Sequence, residues 1–377
     1  MSVQFSTVRL GRVARIRSGD AISKASMAET GVPVFGANGQ MGYVPQPNFP
    51  QGALCVGRVG SCGAVNHHKY PVFISDNALV VRPARDSVSA TFLEYAFRAT
   101  DFAPLVNQGA MPLLTGGDLA DLRVPCPPLA TQTAIADFLD RKTAAIDTLI
   151  AKKEELIREL ATYRKSVIAE AVAPKEGWRK MRLKHLTSEK ICTGVGEKGD
   201  QLTKGHPRYI RTSDIESLFS LKSGDSRTLP PEVAKTADVQ QNDILLTTAG
   251  SVGKLYLHTA ADGSFCYAGF LARIRVAPSA NPRFIAYTLS SKRIQEAIAN
   301  AKVTSTIDNF SASKCAELPL WVPPLEEQVR VVVFLDKAIA KIESLRAKAE
   351  ASVAMLKDYR ASLIAEAVTG KLVLPTH

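Results

Sequence analysis

The sequence has few cysteines and no long apolar run. No two of its six cysteines form a C-x-x-C pair, so neither a zinc site nor a disulfide framework is indicated. Its apolar stretches, such as VRVVVFL near residue 330, are far shorter than the roughly 18 to 20 residues of a membrane span. The first residues contain no apolar signal-peptide core, and we therefore expect a reduced, cytoplasmic protein without a membrane partner.

Motifs of catalysis are also missing. TTAGSVGKL at 247–255 fails as a phosphate-binding loop, because Thr248 replaces the required glycine and Leu255 the required serine or threonine. NPRF at 281–284 is similar to an adenine methyltransferase signature, but Arg283 replaces its second proline and no glycine-rich cofactor loop accompanies it. TGGDLADL at 115–122 is typical of a helix start, with Asp118 near the cap. We expect no catalytic residue, metal ligand or cofactor.

A long internal repeat organises the chain. YRKSVIAEAV at 163–172 returns as YRASLIAEAV at 359–368, and an ungapped alignment of 127–172 with 323–368 gives 22 identities in 46 positions. Apolar residues recur in both copies at alternating steps of four and three, which predicts long helices with an a/d seam. The predicted helix-helix seam consists of Ile135, Leu139, Ile146, Leu149, Leu156, Leu160, Tyr163, Val331, Leu335, Ile342, Leu345, Leu356 and Tyr359.

Each repeated helix follows a globular segment with short runs rich in Val, Ile, Leu, Phe and Tyr, such as GALCVGRV and NDILLTT. We predict a mixed α/β (α+β) fold with a pseudo-twofold internal repeat, in which two similar domains alternate with two long antiparallel helices. A coiled coil with another chain remains an alternative to this intrachain pair. The predicted domains are 1–126 and 174–322, and the predicted helical regions are 127–173 and 323–377, the last including the C-terminal tail.

The positive charge lies in the globular segments. The chain carries a net charge of +11. Both helical repeats have equal numbers of basic and acidic residues, whereas the first globular segment has a net charge of +3 and the second of +7. Because lysine and arginine neutralise phosphates in sequence-independent DNA binding, this distribution favours a DNA contact surface on the globular segments.

The whole pattern resembles the specificity subunits of type I restriction-modification systems. The resemblance rests on PPL(x)2Q(x)5FLD at 127–140 and 323–336, on the helices ending in IAEAV, and on VPVFGANGQMGYV at 32–44 and NDILLTTAGSVGKL at 242–255. It implies a non-catalytic subunit whose two target-recognition domains each read half of a split, asymmetric sequence in double-stranded DNA. It also implies two methyltransferase subunits as partners, which modify adenine N6 with S-adenosylmethionine, and restriction/translocase subunits in addition.

Base readers are expected among polar side chains on loops. The candidates in the first domain are Asn38, Gln40, Arg58, Ser61, Asn66, His67, Lys69, Asn107 and Gln108. Those in the second domain are Arg208, Arg211, Thr212, Ser213, Thr248, Ser251, Lys254, Thr304, Ser305 and Asn309.

Two other functions remain open from the residues alone. A structural coiled-coil adaptor without a DNA role is disfavoured by the location of the charge, and an enzyme that methylates or cuts DNA unaided is disfavoured by the missing motifs.

Overall fold

The computed structural model describes residues 5–83, 87–107, 109, 111–224, 226–260, 262–301 and 310–372. The chain forms two compact units. Unit 1 comprises residues 1–154 and 350–377, and unit 2 comprises residues 155–349. Each unit combines helices with β-sheets, which confirms the predicted mixed α/β class.

Unit 1 contains strands in the segment before its long helix and four helices that begin in this unit. The strands are β1 (Thr7–Arg9), β2 (Ala14–Ser18), β3 (Val32–Phe35), β4 (Gln40–Val44), β5 (Ala53–Gly57), β6 (Val65–His68), β7 (Phe73–Ile74), β8 (Ala78–Pro83) and β9 (Arg123–Pro125). The helices are α1 (Leu10–Val13), α2 (Ala90–Arg98), α3 (Gly116–Asp121) and α4 (Leu129–Ala171), and Lys24–Ser26 and Ala103–Leu105 form 3-10 turns.

The main sheet of unit 1 has the strand order β2-β8-β5-β6 and is antiparallel throughout. Successive side chains of a strand face opposite sides, and both sides of β5 are covered. Leu54 and Val56 pack in one apolar cluster with Leu93 of α2, whereas Ala53 and Cys55 belong to a second cluster. A smaller sheet, β4-β3-β7, includes the parallel pair β3 and β7, and β1 pairs with β9.

Unit 2 repeats much of this arrangement. Its strands are β10 (Arg179–Arg182), β11 (Cys192–Thr193), β12 (Asp200–Gln201), β13 (Arg208–Ile210), β14 (Ile215–Ser217), β15 (Ser220–Leu221), β16 (Arg227–Thr228), β17 (Asp238–Val239), β18 (Ile244–Thr247), β19 (Leu255–Leu257), β20 (Phe265–Tyr267), β21 (Leu271–Ile274) and β22 (Pro319–Val322). Its helices are α5 (Pro231–Ala234), α6 (Pro282–Ser290), α7 (Lys292–Ala301), α8 (Ala312–Ala316) and α9 (Leu325–Thr369), with 3-10 turns at Leu183–Leu186, Thr212–Asp214 and Lys235–Ala237. Helices α4 and α9 each contribute to both units.

Three strand arrangements of unit 2 correspond to arrangements in unit 1, whereas β12, β17 and the pair β14 and β15 have no counterpart among the described strands of unit 1. The antiparallel sheet β11-β21-β18-β19 matches β2-β8-β5-β6, and the parallel pair β13 and β20 matches β3 and β7. The pair β10 and β22 matches β1 and β9. The weak similarity between the two globular segments therefore reflects a shared topology.

A buried glutamine attaches the long helix to the globular part in each unit. The Gln132 side chain accepts a hydrogen bond from the backbone N–H of Ser89 (2.9 Å) and donates to the carbonyl of Pro127 (2.8 Å). Gln328 accepts from the N–H of Asn281 (2.7 Å) and donates to the carbonyl of Pro323 (2.9 Å). Ser89 and Asn281 are the N-caps of α2 and α6, so the glutamines fix the start of equivalent helices.

A tyrosine–aspartate bond adds a second attachment. Tyr95 donates its hydroxyl proton to Asp140 and Tyr287 donates to Asp336, both at 2.6 Å. Burial, together with the hydrogen bond to Asp140, raises the pKa of Tyr95 to about 12. Burial and the bond to Asp336 likewise raise the pKa of Tyr287. Both phenols therefore remain neutral donors at physiological pH.

The long helices pack antiparallel within each unit. In unit 1, Asp147 and Glu154 of α4 form ion pairs with Arg360 and Lys357 of α9, respectively. Residue numbers in α9 therefore decrease as those in α4 increase, as in an antiparallel pair. In unit 2, Arg164 of α4 pairs with Glu343 of α9.

The burial of the helices matches the predicted seam at one of its two alternating positions and departs from it at the other. Leu139, Ile146, Leu160, Leu335 and Ile342 are buried as expected, and so is Ile135. The second buried ladder lies one residue further along each helix than predicted, at positions such as Thr143, Ile150, Ile339 and Val353. The helices are rotated so that arginine–carboxylate pairs lie beside the seam. Of the remaining predicted seam residues, Leu149, Leu156, Tyr163, Leu345 and Tyr359 are exposed, and Val331 and Leu356 are half-buried.

NPRF and TGGDLADL both have structural roles at helix starts. Asn281 of NPRF accepts hydrogen bonds from the N–H groups of Arg283 and Phe284 and so caps α6. Thr115 and Asp118 form a capping box at the start of α3, as the sequence predicted. Among the helices in the described ranges, none has the length and apolar character that a membrane span requires.

Candidate nucleic-acid interface

Three segments of unit 1 meet along one edge of its main sheet. They are the loop 57–64 between β5 and β6, the turn 75–77 before β8, and residues 111–114. The N–H of Arg58 donates to the carbonyl of Asn77, and the N–H of Leu114 donates to the carbonyl of Arg58, both at 2.9 Å. We call these residues the loop edge of unit 1.

Unit 2 has the same edge with the same backbone bonds. The N–H of Thr248 donates to the carbonyl of Phe270, and the N–H of Phe310 donates to the carbonyl of Thr248, both at 2.8 Å. Residues 247–254, residues 268–270 and Phe310 form the loop edge of unit 2. Arg58 and Thr248 therefore occupy equivalent positions, each held between two other segments.

A glycine-rich loop projects from each edge. The N–H of Gly63 donates to the carbonyl of Gly57 (2.9 Å), and the N–H of Gly253 donates to the carbonyl of Thr247 (3.0 Å). Gly60 has φ 74° and Gly250 has φ 70°, a left-handed conformation that glycine adopts without strain. Ser61 and Ser251 follow these glycines and are exposed, so each edge presents a serine at a tightly folded tip.

The structure brings several predicted base readers of unit 1 together. Arg58 and Ser61 are part of the loop edge, and Asn66 donates to the carbonyl of Ala37 (3.5 Å) at the tip of the β3–β4 hairpin. Asn38 and Gln40 are exposed at this same hairpin, and Asn107 is exposed beside Leu113, with which it exchanges backbone hydrogen bonds.

Two candidates of unit 1 in the described ranges do not lie at this edge. His67 is bonded through Nδ1 to Glu94 (2.8 Å) and its side chain is 12% exposed, so it packs against α2 and does not lie on a free loop as predicted. Lys69 is exposed at the opposite end of β6 from loop 57–64. Gln108 lies outside the described residues.

In unit 2, Ser251 and Lys254 are exposed on the glycine-rich loop. Thr248 is 4% exposed, so its contribution to the edge comes from its backbone and not from its side chain, contrary to the prediction. Three predicted readers, Thr304, Ser305 and Asn309, lie outside the described residues.

Of the remaining candidates of unit 2, Arg208 begins β13, and Arg211, Thr212 and Ser213 directly follow it. Arg211 donates to Asp214 through its backbone and its guanidinium, at 2.7 to 3.1 Å, so it is part of the turn. Arg208 donates to the carbonyl of Lys222 (3.3 Å). Ser213 is exposed and Thr212 is half-buried.

Asn77 and Phe270 were not among the base readers predicted from the sequence. Their carbonyls accept equivalent hydrogen bonds from Arg58 and Thr248, so the two side chains stand at the same place in the two edges. Phe270 is 63% exposed. An alignment of FISDNALVV with CYAGFLARI would have paired them, but only base-reading residue types were considered.

Comparison with known proteins identifies the family. The sequence profile described as Type I restriction modification DNA specificity domain matches the chain twice, at residues 2–159 and 175–352. The chain belongs to the type I restriction-modification DNA specificity family. Its function is accordingly that of a specificity subunit, which recognises a DNA target.

Individual relatives agree with this family membership. The chain is 25% identical over 354 residues to the type I restriction enzyme EcoBI specificity subunit of Escherichia coli, covering 85% of this chain and 73% of the relative. It is 26% identical over 272 residues to the EcoKI specificity subunit of Escherichia coli strain K12, covering 67% of this chain and 58% of that relative.

Solved structures share the fold. A chain from a study of complex assembly and conformational transition of the type I R-M system aligns with a TM-score of 0.78 at 18% identity, covering 98% of both chains. The HsdS subunit from Thermoanaerobacter tengcongensis aligns with a TM-score of 0.56 at 18% identity, covering 98% of this chain and 97% of that one.

Not all of the positive charge of this specificity subunit is available to phosphates. Arg273 and Arg275 of unit 2 form an ion-pair network with Glu189, Asp238 and Asp243. Burial would raise the pKa of Asp238, but the two arginines outweigh it and hold that pKa below its usual value. These arginines therefore stabilise the sheet beneath the edge.

Each unit of the specificity subunit also exposes apolar side chains on its long helices. Unit 1 exposes Leu149 and Tyr359, and unit 2 exposes the repeat-related Leu345 and Tyr163. We call each pair the helix surface of its unit. Within the described ranges, no group of three or more His, Cys, Asp and Glu side chains is arranged to hold a metal ion.

Proposed function

We propose that the two loop edges each read one half of a bipartite, asymmetric DNA target. The observation that supports this proposal is the repeated backbone scaffold, in which Arg58 and Asn77 of unit 1 are replaced by Thr248 and Phe270 of unit 2. The same scaffold with different side chains suits two different half-sites, because base edges are distinguished by the side chains that meet them. The recognition domains in this proposal are residues 1–126 and 174–322, and residues 127–173 and 323–377 are the helical regions between and after them.

The half-site assignment is tested by mapping N6-methyladenine in cells that express the chain with its methyltransferase. We expect the combined variant Arg58→Ala, Ser61→Ala and Asn77→Ala to relax or change one half of the methylated motif and to leave the other half intact. Ser251→Ala with Lys254→Ala should affect only the other half. Lys69→Ala is the matched control, since Lys69 is exposed but lies away from the edge. Changes in both halves from one edge, or no split motif at all, would refute the proposal.

The methyltransferase partners are proposed to bind the helix surfaces. Two similar surfaces, Leu149 with Tyr359 and Leu345 with Tyr163, suit two copies of one partner, because tyrosine is a typical anchor of interfaces and exposed apolar patches mark interaction sites. Restriction/translocase subunits are further partners in this proposal. The complex is proposed to act on DNA in the cytoplasm.

Stoichiometry tests this assignment. Tyr359→Asp should lower the number of bound methyltransferase subunits from two to one, and Tyr359→Asp combined with Tyr163→Asp should abolish binding, as measured by light scattering after size exclusion. The control is Leu202→Asp, which changes a leucine that is also exposed in unit 2 but lies outside the helices. Two bound subunits on the double variant would contradict the assignment.

The chain itself is proposed to be non-catalytic. Methyl transfer from S-adenosylmethionine is then a property of the partner subunits, and the purified chain alone should transfer no methyl group to its target DNA. Methylation by the isolated chain would favour the alternative of a stand-alone enzyme. A methylation pattern that stays unchanged when both loop edges are substituted would instead favour a structural adaptor.

A further inference from the structure

Phe270 is an exposed aromatic residue on a fixed backbone. The N–H of Gly269 donates to the carbonyl of Val195 (2.7 Å), and the N–H of Leu271 donates to that of Ala268 (2.9 Å). The carbonyl of Phe270 accepts from Thr248 (2.8 Å). Leu271 is fully buried, whereas the phenylalanine next to it is 63% exposed. Large apolar side chains are usually buried, so the exposure of this ring is unusual.

The surroundings of Phe270 suit a nucleic acid. The ring borders a groove of about 880 Å³ that is also lined by Thr193, Ser311 and Lys190. Hydroxyl and ammonium groups are suited to phosphate oxygens and base edges. The groove is not uniformly positive, because Glu189 and Glu317 line it as well.

Both of these carboxylates form ion pairs with neighbouring cations. Glu189 pairs with Arg273 and Arg275, and Glu317 pairs with Arg182 and Lys184. The two cations at Glu317 exceed its charge by one, which offsets the network of Glu189, where three carboxylates share two arginines.

The equivalent residue in unit 1 indicates which chemical group the Phe270 side chain contacts. Asn77 has the same backbone bond as Phe270, made to Arg58 in place of Thr248. An asparagine amide matches the N6 and N7 groups of adenine, and an apolar side chain matches the 5-methyl group of thymine in the same groove. An amide at one edge and an aromatic ring at the other fit a position that contacts base edges.

We propose that Phe270 determines specificity in unit 2 by contacting the 5-methyl group of a thymine in the major groove of the half-site that this unit reads. The contact forms no covalent bond and requires no change in the fold, since the ring is already exposed. This inference rests on the proposed function, in which each loop edge reads one half-site.

The test uses the full chain in complex with its methyltransferase subunits and the target found by methylation mapping. Duplexes carry uracil in place of each thymine of the half-site, one at a time on either strand, which removes only the methyl group. One replacement should raise the Kd of the wild-type complex roughly fourfold, the factor expected for burying about one methyl group. The Phe270→Ala complex should bind that duplex and its thymine counterpart with equal affinity, and Phe270→Leu should keep part of the preference.

The control is Leu202→Ala, which removes another exposed apolar side chain of unit 2 and should keep the full preference for thymine. The proposal is overturned by a half-site without thymine, by a wild-type complex that ignores every uracil replacement, or by an unchanged preference in Phe270→Ala. A complex that binds its split target but ignores the methyl group refutes only this inference. A complex without any sequence preference refutes the proposed function as well.

Discussion

Arg164 of α4 forms an ion pair with Glu343 of α9 in unit 2. In the equivalent ion pair of unit 1, the arginine lies on α9 and the carboxylate on α4. Nε of Arg164 lies 3.1 Å from Oε1 of Glu343 in unit 2, and Nε of Arg360 lies 3.0 Å from Oδ1 of Asp147 in unit 1. The repeat relates Arg164 to Arg360 and Asp147 to Glu343. Each long helix therefore supplies an arginine to one unit and a carboxylate to the other.

Reversing one charge of this pair should destabilise unit 2 modestly. Both side chains are partly exposed, so we expect Arg164→Glu to lower the free energy of unfolding by about 1 kcal/mol. Adding Glu343→Arg should restore most of the loss, as measured by urea unfolding with peptide-resolved hydrogen exchange. Arg158→Glu, an exposed position on the same helix, is the control. A double variant no more stable than the single one would show that the pair contributes nothing.

Removing the buried amide at the base of the second domain should be more costly. Gln328 is buried and its amide satisfies both the N–H of Asn281 and the carbonyl of Pro323. Gln328→Ala leaves these groups without their partner, so we expect a loss of about 1–3 kcal/mol in thermal or urea unfolding. The exposed Gln241, changed to alanine, should cost under about 0.5 kcal/mol. Equal stability of the two variants would contradict this role.

Gly57 is required by the close approach of three backbone segments. A Cβ at this position would overlap the carbonyl oxygen of Ser61 and lie 2.9 Å from that of Ala37. Gly57→Ala should therefore destabilise unit 1 by about 1–3 kcal/mol and weaken target binding through the displaced loop. Gly39→Ala is the control, because nothing lies within 4 Å of its added Cβ. Wild-type melting and binding by Gly57→Ala would show that the loop adjusts freely.

Two buried histidines should make stability fall in mild acid. Burial lowers the pKa of His68, and the nearby His67 lowers it further. Burial also lowers the pKa of His258, although Asp243 opposes this shift. Because the folded chain holds both rings neutral, their contribution to stability is present above about pH 6.5 and is lost as the pH falls through the lowered folded values.

The pH dependence is measured as the melting temperature between pH 7.5 and pH 5. The variant with His68→Phe and His258→Phe should lose less stability over this range than the wild type. His185→Gln, at an exposed position, should follow the wild-type curve. Parallel curves for all three proteins would rule out a role for the buried rings.

The sequence predicted the repeat and much of the secondary structure because both leave local signals. GALCVGRV and NDILLTT contain β5 and β18, and PPL at each repeat immediately precedes or enters a long helix. The rotation of those helices was not predictable in the same way. In a helix with about 3.6 residues per turn, two adjacent rows of residues can have similar spacing. The row that contains Leu149 and Tyr163 is the more apolar in sequence, although the neighbouring row is the buried one. The observed rotation of the helices brings together arginines and carboxylates that are far apart in sequence. The apolar periodicity of a single helix does not predict such contacts.

The candidate interface was only partly predictable for a related reason. Glycine spacing located the loops of Ser61 and Ser251, but a residue's type does not reveal whether a strand or a helix covers it. His67 and Thr248 have base-reading side chains, yet they are engaged inside their unit. Phe270 was overlooked because an apolar residue in a strand-rich segment is normally taken as core.

The backbone bonds of the loop edges have a consequence for changes of the recognised target. The carbonyl of Asn77 and that of Phe270 accept the same hydrogen bond, although the two side chains share no chemistry. The bonds at these two positions are made by peptide groups, so replacing the side chain of Asn77 or Phe270 removes none of them. Under the proposed function, a single substitution at either position can therefore change the recognised base while the backbone scaffold is retained.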